Sequence, residues 1–189
     1  MARLPKTRWG QVDPGIQRVF EAFWTSRGNV PKLFRILAHR PPLFETFTAH
    51  FDAVMGEGRL PIRFKELVAV RVSQLNGCRY CLGSHTVLAK KFGATDAELA
   101  SLQDVAASSL SEAEKDSILF AEKMTRDHRS IRQADFDRLR AHWETDQIVE
   151  LLCVIGIFNY LNRFAESLAL EPTQPGEGGP DDREGAQVG

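Results

Sequence analysis

The sequence is poor in the features that mark several large protein classes. It holds only 3 cysteines, an odd number and too few for the disulfide framework of a small secreted domain. No uninterrupted apolar run reaches the roughly 18 residues that mark a membrane-spanning helix. Net charge is −1, from 24 basic and 25 acidic residues. That balance gives no broad attraction to nucleic acid or to an anionic membrane, and neither is expected as a partner. The opening MARLPKTRWGQ is basic but no apolar stretch follows it, so it does not read as a secretory leader and a cytoplasmic location is expected. A GxGxxG turn, a phosphate-binding glycine loop and a serine-based triad are all missing, so no cofactor is indicated. Alternating strand patterns are missing too. The Asn76-Gly77 pair, a hairpin signal elsewhere, lies here between two helical patterns.

What is present is helical periodicity in a chain of ordinary globular composition, 43% hydrophobic and 26% charged. A first helix is predicted from Pro14 to Arg27, with Ile16, Val19, Phe20 and Phe23 on one face. Pro31 opens a short second helix to Ala38, and Pro41 and Pro42 open a third over Leu43 to Met55. Pro61 precedes a helix carrying Phe64 to Leu75, broken by Gly77. The next runs from Cys78 to Phe92 and stops at Gly93. Thr95 with Glu98, and Ser111 with Glu114, each read as a capping box, starting helices to Leu102 and Asp127. Further helices follow over Gln133 to His142 and, capped by Thr145, over Asp146 to Leu170. Beyond Pro172 the chain is rich in Gly, Pro and acid, with no large apolar residue but Val188. Residues 171–189 are therefore expected to form a flexible tail after a single all-α domain over 1–170.

From Ile148 to Phe158 nearly every residue is apolar, which leaves no face for water. A helix of that kind is expected to be buried on all sides, and in so small a chain this suggests a subunit interface as well as a core.

The chemistry concentrates in residues 66–85, ELVAVRVSQLNGCRYCLGSH. With Cys78 at the start of a helix, Cys81 and His85 share one face within an arc of about 60°. Two sulfurs one turn apart can join with little backbone movement, and the imidazole lies one turn further on. A helix N-terminus stabilises anions and so favours the thiolate. Glu66, on the preceding helix, shares its face with Ala69, Val70 and Ser73. Small residues there allow close approach, which puts a carboxylate within reach of His85. Acid, base and thiol in that order form the general arrangement of an activated nucleophile.

Glu66, Cys78-Arg-Tyr-Cys81 and Ser84-His85 together follow an E-x11-CxxC-x3-H pattern, and the chain from 14 to 170 resembles the AhpD-like alkylhydroperoxidases of the carboxymuconolactone decarboxylase superfamily. FNYLNRFAESLAL, residues 158–170, is similar to their last helix. The resemblance implies an AhpD-like all-α bundle, assembly into trimers or hexamers, and reduction of a hydroperoxide substrate with cysteine cycling. It implies Cys81 as attacking thiol, Cys78 as resolving thiol, and Glu66 with His85 as proton relay. A dithiol reductant, a lipoyl-bearing or thioredoxin-like protein, would restore the pair. Tyr80 stands where the best-known members have a histidine, a departure from the pattern that implies weaker alkylhydroperoxidase activity and moves the resemblance toward the peroxidase-related branch.

Other readings of the same residues remain open at this point. Cys78 and Cys81 could be inert buried residues, or, with His85 and Glu66, zinc ligands, although a trio at i, i+3 and i+7 makes an unusual cage. The pair could serve a non-catalytic redox sensor or assembly module, though a passive disulfide needs no base. Family members that are true decarboxylases use acid–base chemistry without a CxxC. Cys153 reads as core. His39, His50, His128 and His142 have no spacing partners and read as surface or capping residues. Arg71, on an apolar face, reads as an ion pair or, less simply, as a carboxylate-binding group.

Overall fold

The computed structural model describes residues 2–182. Among them every regular element is helical: α1 (Pro14–Arg27), α2 (Lys32–Leu37), α3 (Pro41–Met55), α4 (Ile62–Leu75), α5 (Arg79–Lys91), α6 (Asp96–Ser101), α7 (Glu112–Asp127), a 3-10 turn (His128–Ser130), α8 (Gln133–Arg140) and α9 (Thr145–Ser167). Local chemistry sets many of these ends. Pro14 fills the first position of α1, and Gly28 closes it with φ of 68°. Thr95 and Ser111 both form complete capping boxes, with Glu98 and Glu114 reaching back to the N-cap backbone.

Contacts gather the described residues into two compact units, those up to His50 with those from Ala165 onward, and Phe51–Phe164. Both boundaries fall inside helices, α3 and α9, so no linker composition marks them.

The first unit buries Ile16, Phe20, Leu33 and Phe44. It also holds the buried Arg35, whose Nη1 lies 2.9 Å from Asp182 and whose Nε donates to the Thr7 carbonyl at 2.9 Å. Glu177 pairs with Lys6 at 3.1 Å and Lys32 at 3.2 Å. Composition alone predicts a flexible tail over 171–189, because Val188 is its one large apolar residue. Over 171–182 these ion pairs replace apolar anchoring and hold the segment; the rest of that tail lies outside the described residues.

The second unit builds its core from Phe64, Leu67, Val68 and Val72 of α4, Ala89 of α5, Ile118 of α7 and Leu151, Val154, Ile155 and Phe158 of α9. Two cations are buried in it. Lys65 reaches Glu150 at 2.7 Å and the Gly56 carbonyl at 2.5 Å. Arg71 pairs with Glu122 at 2.7 Å and donates to Gln74 at 3.0 Å, so the ion-pair reading of Arg71 is the one observed. Buried charges require such partners.

α9 has the length and composition of a membrane-spanning helix, but half of its apolar window is buried by the chain itself and its polar groups bond to neighbouring elements. Within the single chain, burial of this run is one-sided. Ile155 and Phe158 are fully enclosed by this chain, whereas Val149 and Tyr160 are exposed and Leu152, Cys153 and Gly156 are half-buried. Apolar composition all round does not make every face equal, because α4 and its neighbours cover one side only.

Three carboxylates couple stability to pH. Burial pushes Glu98 upward, but the Thr95 amide and the Arg63 guanidinium outweigh it and hold the group below its ordinary value. Burial likewise opposes the Gln174 amide, Lys6 and Lys32 at Glu177, and again the net displacement is downward. The Lys123 ammonium leads a downward displacement at Asp135. A carboxylate with a depressed folded value stabilises the fold above its unfolded value and loses that contribution as pH falls through the folded one. The melting temperature should therefore be level near neutrality and begin to fall below the ordinary glutamate value of 4.5. Calorimetry across pH 7 to about 3 checks this; an unchanged melting temperature would remove these groups as contributors.

Candidate active site

The α4–α5 junction is built by one glycine. Gly77 takes φ of 68°, the Gly77 amide donates to the Gln74 carbonyl at 3.2 Å, and the Cys78 amide donates to the Ser73 carbonyl at 3.0 Å. These two bonds form a Schellman motif, which satisfies the last carbonyls of α4. The next residue is then the N-cap of α5. Cys78 occupies it with φ −79° and ψ 93°, and its Sγ accepts the Cys81 amide at 3.3 Å. A sulfur thus stands where serine or aspartate usually caps a helix. The two sulfurs lie 2.8 Å apart, both buried.

His85 follows Cys81 by one turn of α5, and its Nδ1 lies 2.7 Å from Oε2 of Glu66 on α4. With a carboxylate that only accepts and a neutral imidazole, Nδ1 is the donor in this bond and Nε2 is left with its lone pair, the tautomer a general base needs. Both partners are buried, at 7% and 3% exposure, which keeps water from competing for this bond. Phe158 of α9 packs against the imidazole in a T-shaped pair, with ring centroids 4.5 Å apart and planes at 88°. The ring is held by a hydrogen bond on one atom and by a T-shaped contact with Phe158.

The four residues singled out from sequence, Glu66, Cys78, Cys81 and His85, come together in two adjoining helices. Among the described residues no group of three or more His, Cys, Asp or Glu is arranged to hold a metal ion. His39 bonds to the Pro5 carbonyl at 2.9 Å and His142 to Asp116 at 3.1 Å. Sequence reasoning missed Phe158, read only as part of an apolar run, and Lys65. It also passed over Asn159 and Asn162, whose spacing of three on an otherwise apolar helix was the available signal.

Residues 41–123, which include all four residues, match the Carboxymuconolactone decarboxylase family. The chain belongs to that family. Uncharacterized protein YdfG of Bacillus subtilis (strain 168) is 31% identical over 103 residues, covering 53% of this chain and 70% of YdfG. Among solved structures, an uncharacterized peroxidase-related protein from Silicibacter sp. TM1040 superposes with a TM-score of 0.83 at 28% identity, over 91% of this chain and 92% of that one. The alkylhydroperoxidase AhpD core of an uncharacterized peroxidase-related protein from Ralstonia eutropha JMP134 gives 0.83 at 25% identity, over 92% and 93%. The debrominase Bmp8, solved with 2,3,4-tribromopyrrole, shares the fold at 18% identity, with a TM-score of 0.80 over 93% and 96%. The carboxymuconolactone decarboxylase fold therefore carries more than one chemistry, and the site must decide among them.

Proposed function

We propose that this member of the family is a thiol-dependent peroxidase that reduces hydroperoxides through a Cys78–Cys81 dithiol–disulfide cycle. The observation that carries the reading is the buried Glu66–His85 bond one helical turn from a pair of adjacent sulfurs. A structural cysteine pair has no use for an oriented base.

His85 takes the Cys81 proton, and Glu66 stabilises the resulting imidazolium. The Cys81 thiolate attacks the terminal peroxide oxygen; the O–O bond breaks and the alkoxide leaves as alcohol with a proton from the imidazolium. The Cys78 thiolate then attacks the sulfenic sulfur of Cys81; the S–S bond forms as the S–O bond breaks, and the hydroxide takes up the proton lost by the Cys78 thiol and leaves as water. Two electrons have passed from the dithiol to the peroxide. An external dithiol, a lipoyl-bearing or thioredoxin-like protein, returns them. Cys81 as the attacking sulfur follows the family resemblance. The amide bond at Cys78 supports the resolving role, since a resolving thiol must also ionise.

A cytoplasmic location fits this need for a reducing partner. We also assign the chain to a homo-oligomer, a trimer or hexamer, joined through the exposed part of α9 at Val149 and Tyr160; a monomer by light scattering at micromolar concentration would remove that assignment. Steady-state consumption of hydroperoxide with dihydrolipoamide in excess tests the function. Many turnovers per chain are expected, whereas a single stoichiometric oxidation would mark a redox sensor instead.

A further inference from the structure

Asn162 of α9 is fully buried and forms part of a chain of side-chain amides. The Asn159 Nδ2 donates to the Ile155 carbonyl at 3.0 Å and to Thr125 Oγ1 of α7 at 3.0 Å. A backbone carbonyl only accepts, so this amide cannot be turned the other way. Arg163 Nη1, which only donates, meets Asn159 Oδ1 at 2.7 Å and fixes the same orientation. That Oδ1 also receives Asn76 Nδ2 at 3.2 Å, and the second hydrogen of the Asn76 amide goes to Asn162 Oδ1 at 2.9 Å. Asn162 Nδ2 is then directed at Ser73 Oγ, 3.0 Å away. The groups at one end of the chain fix every bond along it.

The chain converges on the turn that delivers Cys78. Ser73 holds the Cys78 amide through its carbonyl and Asn162 through its hydroxyl. Asn76 is the C-cap of α4, two residues before Cys78. Its side chain ties the turn to α9, while Gly77 beside it is exposed and has no side chain to hold it. The N-cap geometry that brings Cys78 Sγ to the Cys81 amide thus depends on a turn whose side-chain tether is this amide chain.

We infer that Asn76 and Asn162 are positioning residues. They hold the α4–α5 turn so that the Cys78 sulfur stays on the N-terminus of α5, where its thiolate is stabilised. The inference rests on the dithiol reading, in which Cys78 is the resolving thiol and must ionise to attack the Cys81 sulfenic acid. Without the tether the turn gains freedom, Sγ leaves the Cys81 amide, and Cys78 reverts toward an ordinary thiol.

The test uses the full chain carrying Cys81→Ser, which keeps the residue-81 amide but leaves Cys78 as the one thiol of the motif. Iodoacetamide alkylation of Cys78 is followed by peptide mass from about pH 5 to 10, a range that brackets the ordinary thiol value. The midpoint is the readout, because burial slows alkylation equally at every pH. Adding Asn76→Ala should raise the midpoint by about one unit and slow alkylation at neutral pH about tenfold. Ser73→Ala, a change of one oxygen that keeps the Ser73 carbonyl, should shift it in the same direction. Both substitutions leave Glu66, His85 and Arg163 in place. A fall in melting temperature with an unchanged midpoint in both variants would make the amide chain purely structural and overturn the inference. Peroxide turnover is not measured here, so this outcome is separate from success or failure of the peroxidase reading.

Discussion

Cys81→Ser is expected to reduce peroxide turnover to the uncatalysed background, a loss on the order of 10³-fold or more, as removal of a covalent nucleophile does. Cys78→Ser should fail differently. Its Cys81 can still be oxidised once, so about one equivalent of peroxide is consumed and a sulfenic acid accumulates, which a dimedone trap would capture. The two sulfurs stand 2.8 Å apart on one face of α5, whereas Cys153 is half-buried on α9. Oxidised wild-type protein should therefore show a Cys78–Cys81 cross-link on peptide mapping with Cys153 still reduced, and Cys153→Ser should turn over normally. Sustained turnover in Cys81→Ser would end the proposal that this sulfur attacks. A single trapped equivalent in Cys81→Ser and none in Cys78→Ser would exchange the two roles.

The proton relay carries the second large effect. Glu66→Gln and His85→Ala should each slow turnover at neutral pH by about 10²–10⁴-fold, the range general base catalysis supplies. Glu66→Gln keeps the shape of the site but removes the negative charge that stabilises an imidazolium. His85→Ala removes the base itself. Because Glu66 acts only through His85, at 2.7 Å, the double variant should cost little more than either single one. The pH dependence separates the base from the helix N-terminus, which favours a thiolate without help. If the base supplies the thiolate at neutral pH, the defect should shrink as pH approaches about 8.5, where solvent deprotonates a free thiol. If both variants keep wild-type rates at neutral pH, the helix N-terminus suffices, and the buried pair serves only to join α4 to α5.

Much of this was legible along the chain because it is local. Helix ends follow from neighbours a few residues away, such as Thr95 with Glu98 or Gly77 after Leu75, and the structure places them within a few residues of the predicted limits. The site is legible for the same reason. Cys78, Cys81 and His85 belong to one turn-by-turn stripe, and Glu66 lies on the helix just before. What escaped depends on residues distant in sequence. Periodicity does not show that Lys65 would meet Glu150, that Arg71 would meet Glu122, or that residues 171–182 would be held by Arg35, Lys6 and Lys32.

The sequence by itself determined an all-helical chain and singled out the four candidate residues, because helix periodicity and capping act over one or two turns; the family came from the resemblance that the pattern of those four residues carries. Tertiary structure alone decided which face of α9 is covered, and that Phe158 meets the His85 ring at 4.5 Å. It alone assembled the amides of Asn76, Asn159 and Asn162 behind the Cys78 turn. Those contacts join residues more than seventy positions apart, and only the packing of α9 against α4 brings them within hydrogen-bonding distance.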